Sequence, residues 1–157
     1  MLKLKSESPE DTIELGKKIG SILNSGDIVC LQGDLGAGKT YLTKGIMKGL
    51  GVEREIVSPT YNLIKEYQGR LPAYHIDLYR VSDEQQLHDV GFEDYIYSEG
   101  VSVIEWPDKS GSLMPDSYLN IIIKGQQQER TIKLIPQANK YIPMLEELKK
   151  NVNLSSG

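Results

Sequence analysis

The stretch VCLQGDLGAGKTYL, Val29 to Leu42, decides the fold: an apolar run breaks into glycines and ends at Gly38-Lys39-Thr40. Gly33-Asp34-Leu35-Gly36-Ala37-Gly38-Lys39-Thr40 satisfies G-x-x-x-x-G-K-[ST] without a mismatch. Small residues let backbone N–H groups converge on phosphate oxygens, and a helix that follows points its positive end at them. The pattern assigns Lys39 to the β- and γ-phosphates and the Thr40 hydroxyl to a bound magnesium ion. An accidental match in a chain of this length is on the order of one in a few hundred.

The flanks supply the context the motif needs. DIVCLQ reads as a short buried strand before the loop, and TYLTKGIMKGLG has helical spacing after it, with Gly45 and Gly49 lowering its propensity. Upstream, Ser8-Pro9-Glu10-Asp11 starts a helix: Ser8 caps, Pro9 takes the first helical position, and the acids face the positive end of the dipole. Downstream, IVSPTYNLIKEY is extended, and a turn at residues 68–70 leads into AYHIDLYR. There the alternation sets Tyr74, Ile76 and Leu78 on one face and His75, Asp77 and Tyr79 on the other. Ser82 caps a helix through Leu87, FEDYIY forms another short helix, and VSVIEW is a strand ending at an acid. YLNIIIKGQQQERTIKLIP folds as a β-hairpin, YIPMLEELKKNV as an amphipathic closing helix, and residues 152–157 as a frayed tail. These signals predict one α/β domain over residues 1–157, a three-layer P-loop NTPase-like fold with a mostly parallel central sheet and a C-terminal antiparallel hairpin.

Composition narrows the partners. A formal charge of -4 and a pI near 5.3 leave no basic field to hold an RNA or DNA backbone across the surface. The single cysteine, Cys30, lies inside an apolar run and reads as a small buried hydrophobe, so no disulfide framework arises. The N-terminus lacks the apolar core of a signal peptide and no run approaches the ~20 residues of a membrane span, so the expected location is cytoplasmic.

A phosphate loop of this kind works with a second acid at the end of a neighbouring apolar strand, holding magnesium directly or through water. Two acids qualify: Asp77 in YHIDLYR and Glu105 at the close of VSVIE. Thr60, on the extended SPTYNL segment, has the features of a switch residue approaching the γ-phosphate or its metal. His75 and His88 have no paired metal-ligand spacing and read as structural or surface residues, and Trp106 reads as core or partner contact.

The blocks GDLGAGKT, SPTYNLIKEY, HIDLYR and VIEWPD, in this order, resemble the bacterial TsaE/YjeE family over roughly residues 8 to 136. The resemblance implies a small ATPase that binds ATP or ADP with Mg2+, turns ATP over slowly alone, and is needed for making threonylcarbamoyladenosine next to the anticodon of tRNAs. It implies action on a TsaD-type threonylcarbamoyl transferase and its TsaB-type partner, with tRNA reached only through that complex. By resemblance Lys39 and Thr40 are the phosphate lysine and magnesium threonine, Glu105 the acid associated with magnesium, Asp77 an essential strand aspartate, Thr60 the switch-like threonine and Trp106 the tryptophan beside the site. The same resemblance sets the N-terminal SPEDT near the base, with Thr12 as a contact, and matches Arg130 to an arginine of the last strand. Preference for adenine rests on the resemblance alone. Tyr41 departs from the small residue that relatives often carry after GKT.

Two other classes fit a phosphate loop: a small-molecule kinase and a non-catalytic nucleotide-dependent adaptor. A kinase usually brings an arginine-bearing lid, whereas this chain has only Arg54, Arg70, Arg80 and Arg130. A GTPase needs N-K-x-D, of which Asn139-Lys140-Tyr141-Ile142 is a partial and misplaced echo.

Overall fold

Residues 28–31 alternate between two hydrophobic cores, and that alternation organises the molecule. In a computed structural model, which describes residues 1–34, 36–57, 59, 63–126 and 128–156, β2 (Ile28–Gln32) sends Val29 and Leu31 into one core and Ile28 and Cys30 into the other. A strand buried on both faces carries a continuous apolar run, and β5 (Val101–Glu105), its parallel neighbour, follows the same rule.

The sheet has seven strands in the order β1-β7-β6-β2-β5-β4-β3, the others being β1 (Leu2–Ser6), β3 (Ile64–Gln68), β4 (Pro72–Asp77), β6 (Leu119–Gln126) and β7 (Glu129–Pro136). β6, β2, β5 and β4 are mutually parallel, while β3 and β7 run against their neighbours and β1 runs against β7. Five of the seven strands therefore point the same way. The expected C-terminal hairpin is β6–β7, and a second hairpin, β3–β4, closes the opposite edge. β1 was not apparent from the sequence. Its Leu-Lys alternation buries Leu4 and leaves Lys3 and Lys5 exposed, which discourages further pairing at that edge.

Helices cover both faces. α1 (Pro9–Ile22), α2 (Lys39–Gly49) and α5 (Ile142–Ser156) pack on one, through Leu15, Ile19, Leu42, Ile46 and Leu148. The short α3 (Glu84–Asp89) and α4 (Phe92–Ile96) pack on the other, through Leu87, Phe92 and Ile96. α5 carries helix to Ser156, past Val152 into the segment expected as a tail. Ser8 caps α1 as expected, its Oγ accepting from the Asp11 amide. The cap of α3 is Asp83 rather than Ser82: the Asp83 carboxylate accepts from the Gln86 amide, while the Ser82 amide donates to the Gln86 side chain.

The glycines that lower helix propensity are what bring α1 and α2 together. A Cβ on Gly20 would lie 2.1 Å from the Ile46 carbonyl oxygen, and one on Gly45 would lie 2.2 Å from that of Ile13. Backbone therefore meets backbone along the contact, and α2 is held rigidly where it leaves the glycine loop. At the other end of β2, the Ile28 amide donates to Tyr141 Oη and Lys140 pairs with buried Asp27 at 2.9 Å, tying the C-terminal segment to the sheet. Among the described residues no helix is long and apolar enough to cross a membrane.

Candidate nucleotide site

The site lies where β2, β5 and β4 end on the same side of the sheet, in the crevice that open α/β sheets use for ligands. Gly33 leaves β2 pressed against β6: a Cβ there would stand 2.6 Å from the Ile123 carbonyl oxygen. The chain then turns at Gly36 (φ 81°) and Gly38 (φ 104°), both in the left-handed region that glycine tolerates. Asp34 is exposed and its carbonyl accepts from the Ala37 amide at 3.0 Å. Leu35, Thr60 and the adjoining Ser58, Tyr61 and Asn62 lie outside the described residues.

Among the described residues the start of α2 has no side-chain cap for its positive end. Side chains cap α1 and α3, and α4 has Glu93 and Asp94 in its first turn, but α2 follows Gly38 with neither a side-chain cap nor an acid. The first amides of a helix demand acceptors, and Gly36, Gly38, Lys39 and Thr40 at this helix start line a cleft.

Lys39 sharpens that demand. It is only 6% exposed, and its Nζ has no hydrogen-bond acceptor among the described residues. The ammonium instead rests 3.8 Å from the centroid of the Trp106 ring. Burial pushes its pKa below the ordinary lysine value, against the pull of Glu105, Asp77, Asp34 and Asp108. Trp106 is held over it by a left-handed backbone (φ 58°, ψ 51°), the one non-glycine with positive φ among the described residues. Such a conformation costs on the order of 1–3 kcal/mol and clusters at functional sites. Tyr79 packs against the indole at 5.0 Å.

Asp77 and Glu105 close the opposite wall. They are register partners at the ends of β4 and β5, so the two candidate acids stand side by side. Asp77 Oδ1 accepts from the Tyr79 amide at 3.0 Å. Burial, then the charge of Glu105, raise its pKa, while the Tyr79 amide, His75 and Lys39 lower it. Glu105 is 6% exposed and His75 2%, and His75 Nε2 lies 2.5 Å from Glu105 Oε2. His75 is thus the structural residue that the sequence allowed, whereas His88 is exposed and lies 3.4 Å from Glu93.

Together these groups line a cleft of about 460 Å³: Gly36, Gly38, Lys39 and Thr40 on one side, Asp77, Glu105 and Trp106 on the other, with Tyr41 and Tyr79 also lining it. The structure thereby brings together most of the residues singled out from sequence. Thr12 and Arg130 stand apart. Thr12 is buried, its hydroxyl 2.6 Å from Ser6 Oγ and 3.2 Å from the Ser8 carbonyl. Arg130 lines a second cleft, with Ser6, Gly125 and Thr131. From there its Nε donates to the Ala37 carbonyl at 2.7 Å and its Nη2 to that of Gly36 at 3.4 Å. Arg130 braces the glycine loop from behind, a role no spacing in the sequence reveals. Among the described residues the donor set fits a magnesium–nucleotide: a buried ammonium without a hydrogen-bond acceptor, a helix start without a side-chain cap, a hydroxyl and two neighbouring carboxylates.

Comparisons with known proteins find similarity over nearly the whole chain. The family described as "Threonylcarbamoyl adenosine biosynthesis protein TsaE" matches residues 6–132. The "tRNA threonylcarbamoyladenosine biosynthesis protein TsaE" of Bacillus subtilis is 40% identical over 157 residues, covering 99% of this chain and 98% of that one. The protein of the same name from Treponema pallidum is 41% identical over 119 residues, covering 76% and 88%. The crystal structure of Bacillus subtilis YdiB superposes with a TM-score of 0.83 at 36% identity, covering 96% of this chain and 95% of that one.

Proposed function

The chain belongs to the TsaE family, and from that premise we propose that it is a magnesium-dependent ATPase serving the biosynthesis of threonylcarbamoyladenosine in tRNA. The observation that carries the reading is Lys39: among the described residues, a buried ammonium without a hydrogen-bond acceptor, at the foot of a helix without a side-chain cap, in one cleft with two carboxylates. An isolated buried charge is expensive, so a site built this way awaits a counter-charge.

In this reading the first amides of α2 and the Lys39 ammonium bind the phosphates, with Lys39 exchanging the Trp106 ring for phosphate oxygens. Thr40 and Glu105 hold magnesium, with Asp77 adjacent as a second ligand or as the base that orients water. The metal, when bound, neutralises charge building on the β–γ bridge. Trp106 and Tyr79 shield the Lys39 end from water, and Arg130 keeps the loop carbonyls turned away from the phosphates.

The anchors of the segment that contains Thr60 support a coupling between nucleotide state and a partner surface. Before it, the Val57 amide donates to Tyr67 Oη and its carbonyl accepts from the same hydroxyl. After it, the Leu63 carbonyl accepts from the amide of Asp77, itself a site residue. A change at the γ-phosphate or its metal is thus one residue away from the end of that segment. The partners are a TsaD-type transferase and its TsaB-type companion, reached through that segment in a nucleotide-dependent way, and tRNA is met only through them.

The test is calorimetry with ATP and ADP, with and without magnesium, followed by phosphate release by the chain alone and with the transferase pair. Tight magnesium-dependent binding, slow turnover alone and faster turnover with the pair are expected. Lys39→Ala, folded by its melting curve, is expected to lose most of the binding, and Glu105→Ala to lose most of the magnesium dependence. Binding without phosphate release under any condition would leave an adaptor, and transfer to a metabolite without the pair would leave a kinase.

A further inference from the structure

The two opposite charges of this site each rest against a different neighbour. Lys39 and Glu105 are both buried and interact electrostatically, yet the Lys39 ammonium makes no hydrogen bond to the Glu105 carboxylate. Two such opposite charges in one cleft attract and, left to themselves, close into an ion pair. Each is instead held by a different neighbour: the ammonium by the Trp106 ring, the carboxylate by the His75 imidazole.

The position of His75 follows from the sheet. β4 pairs with β5 in parallel, with Asp77 opposite Glu105 and His75 opposite Val103. His75 thus lies two residues before Asp77, on the same face and one step deeper in the sheet. Its ring is 2% exposed and cannot touch a ligand in the cleft. Its Nδ1 has no partner among the described residues, so Glu105 is the only hydrogen-bond partner the structure gives it.

We infer that His75 is the positioning residue of Glu105: its Nε2–H fixes one carboxylate oxygen, holds the group off Lys39, and leaves the other oxygen turned to the cleft. This rests on the reading of Glu105 as a magnesium ligand, and it names the group that makes the acid available for that work. A free carboxylate in its place would neutralise Lys39 and leave neither phosphate nor metal its partner.

The discriminating variants differ in where they put a donor. The side-chain nitrogen of glutamine is as many bonds from Cβ as His Nε2, and that of asparagine as many as Nδ1. His75→Gln therefore keeps the donor, His75→Asn misplaces it, and His75→Met fills the space without one. The measurement is the ratio of ADP affinities with and without magnesium, taken by calorimetry on the whole chain. His75→Met and His75→Asn are expected to cut that ratio about tenfold to a hundredfold, and His75→Gln to stay within about threefold of wild type. In a Glu105→Gln background, His75→Met is expected to change nothing further. Equal behaviour of the Gln and Asn variants, a wild-type ratio in both, or an undiminished effect in the Glu105→Gln background overturns the inference alone. A wild type whose ADP affinity ignores magnesium overturns the reading of Glu105 and this inference with it. Nitrogen NMR of the two histidines adds a check that needs no variant: the His75 ring must carry a hydrogen-bonded Nε2–H, and a ring protonated only at Nδ1 overturns the positioning role.

Discussion

Arg130→Met separates a brace from a ligand. The guanidinium reaches the loop through two bonds to carbonyls, and they are unequal. Nε to Ala37 at 2.7 Å is a short bond from a charged donor, whereas Nη2 to Gly36 at 3.4 Å is at the limit of the interaction. Its third contact, Nη1 to the Glu129 carbonyl, is local to β7 and holds the arginine rather than the loop. One charge-assisted bond is worth ~1.5–3 kcal/mol, and the long one adds little. Methionine keeps the aliphatic stem against Gly38 and removes the donors, so the loss falls on the ordering of residues 36–38. If that ordering is completed by nucleotide, the same ~1.5–3 kcal/mol appears as a fall in ADP affinity of about tenfold to a hundredfold. Calorimetry with ADP and magnesium reads this directly. The ratio of affinities with and without magnesium is expected to stay at its wild-type value, because Arg130 does not line the cleft of Asp77 and Glu105. Affinity within about twofold of wild type would refute the brace. A loss confined to ATP, with ADP unaffected, would show that the arginine acts on the terminal phosphate instead.

Other outcomes follow from single features. Asp77→Asn is expected to raise the melting temperature by a few °C at pH 7 while lowering turnover, because burial and Glu105 hold the Asp77 carboxyl above its ordinary value of 3.8. The folded state grips that proton harder than the unfolded chain does, so its contribution favours folding at low pH and is withdrawn as pH rises through the raised value. The gap between variant and wild type should therefore shrink on acidification, and melting curves between pH 4 and 7 that run parallel would contradict this. Gly20→Ala places a methyl 2.1 Å from the Ile46 carbonyl and must part the two helices. It is expected to cost ~3 kcal/mol despite alanine's better propensity, a fall of roughly 6–12 °C, and an unchanged melting temperature would show that the contact yields easily. Burial pushes the Cys30 thiol up to about 12, so iodoacetamide at pH 8 should leave the folded chain unlabelled and modify it in denaturant. Labelling at the denatured rate in native buffer would contradict the buried setting.

What was legible in the sequence was what sterics or solvation force locally. The glycine loop reads directly because only glycine fits at residues 36 and 38 and only a small residue at 33. The alternation of β4 placed His75 and Asp77 on one face, and the apolar run of β5 placed Glu105 at its end. Which strand lies beside which is not a local property. The His75–Glu105 contact depends on a register across 30 residues of chain, and Arg130 reaches Ala37 across 93. Neither was visible beforehand. The glycines of α1 and α2 were misleading in another way, since residue by residue they weaken helices, and their value appears only when the second helix is present. The cap of α3 expected at Ser82 falls instead on Asp83, because its carboxylate is the one that meets the Gln86 amide.

The pairing of β1 with β7 has a consequence for how the chain is made. Residues 2–6 are synthesised well before their strand partner, residues 130–134, and Arg130 comes with that partner. The glycine turn is therefore made 93 residues before the guanidinium that steadies it. A product cut short before the last hairpin lacks both the outer strands and the brace. On the proposed function it is then poorly fitted to grip nucleotide.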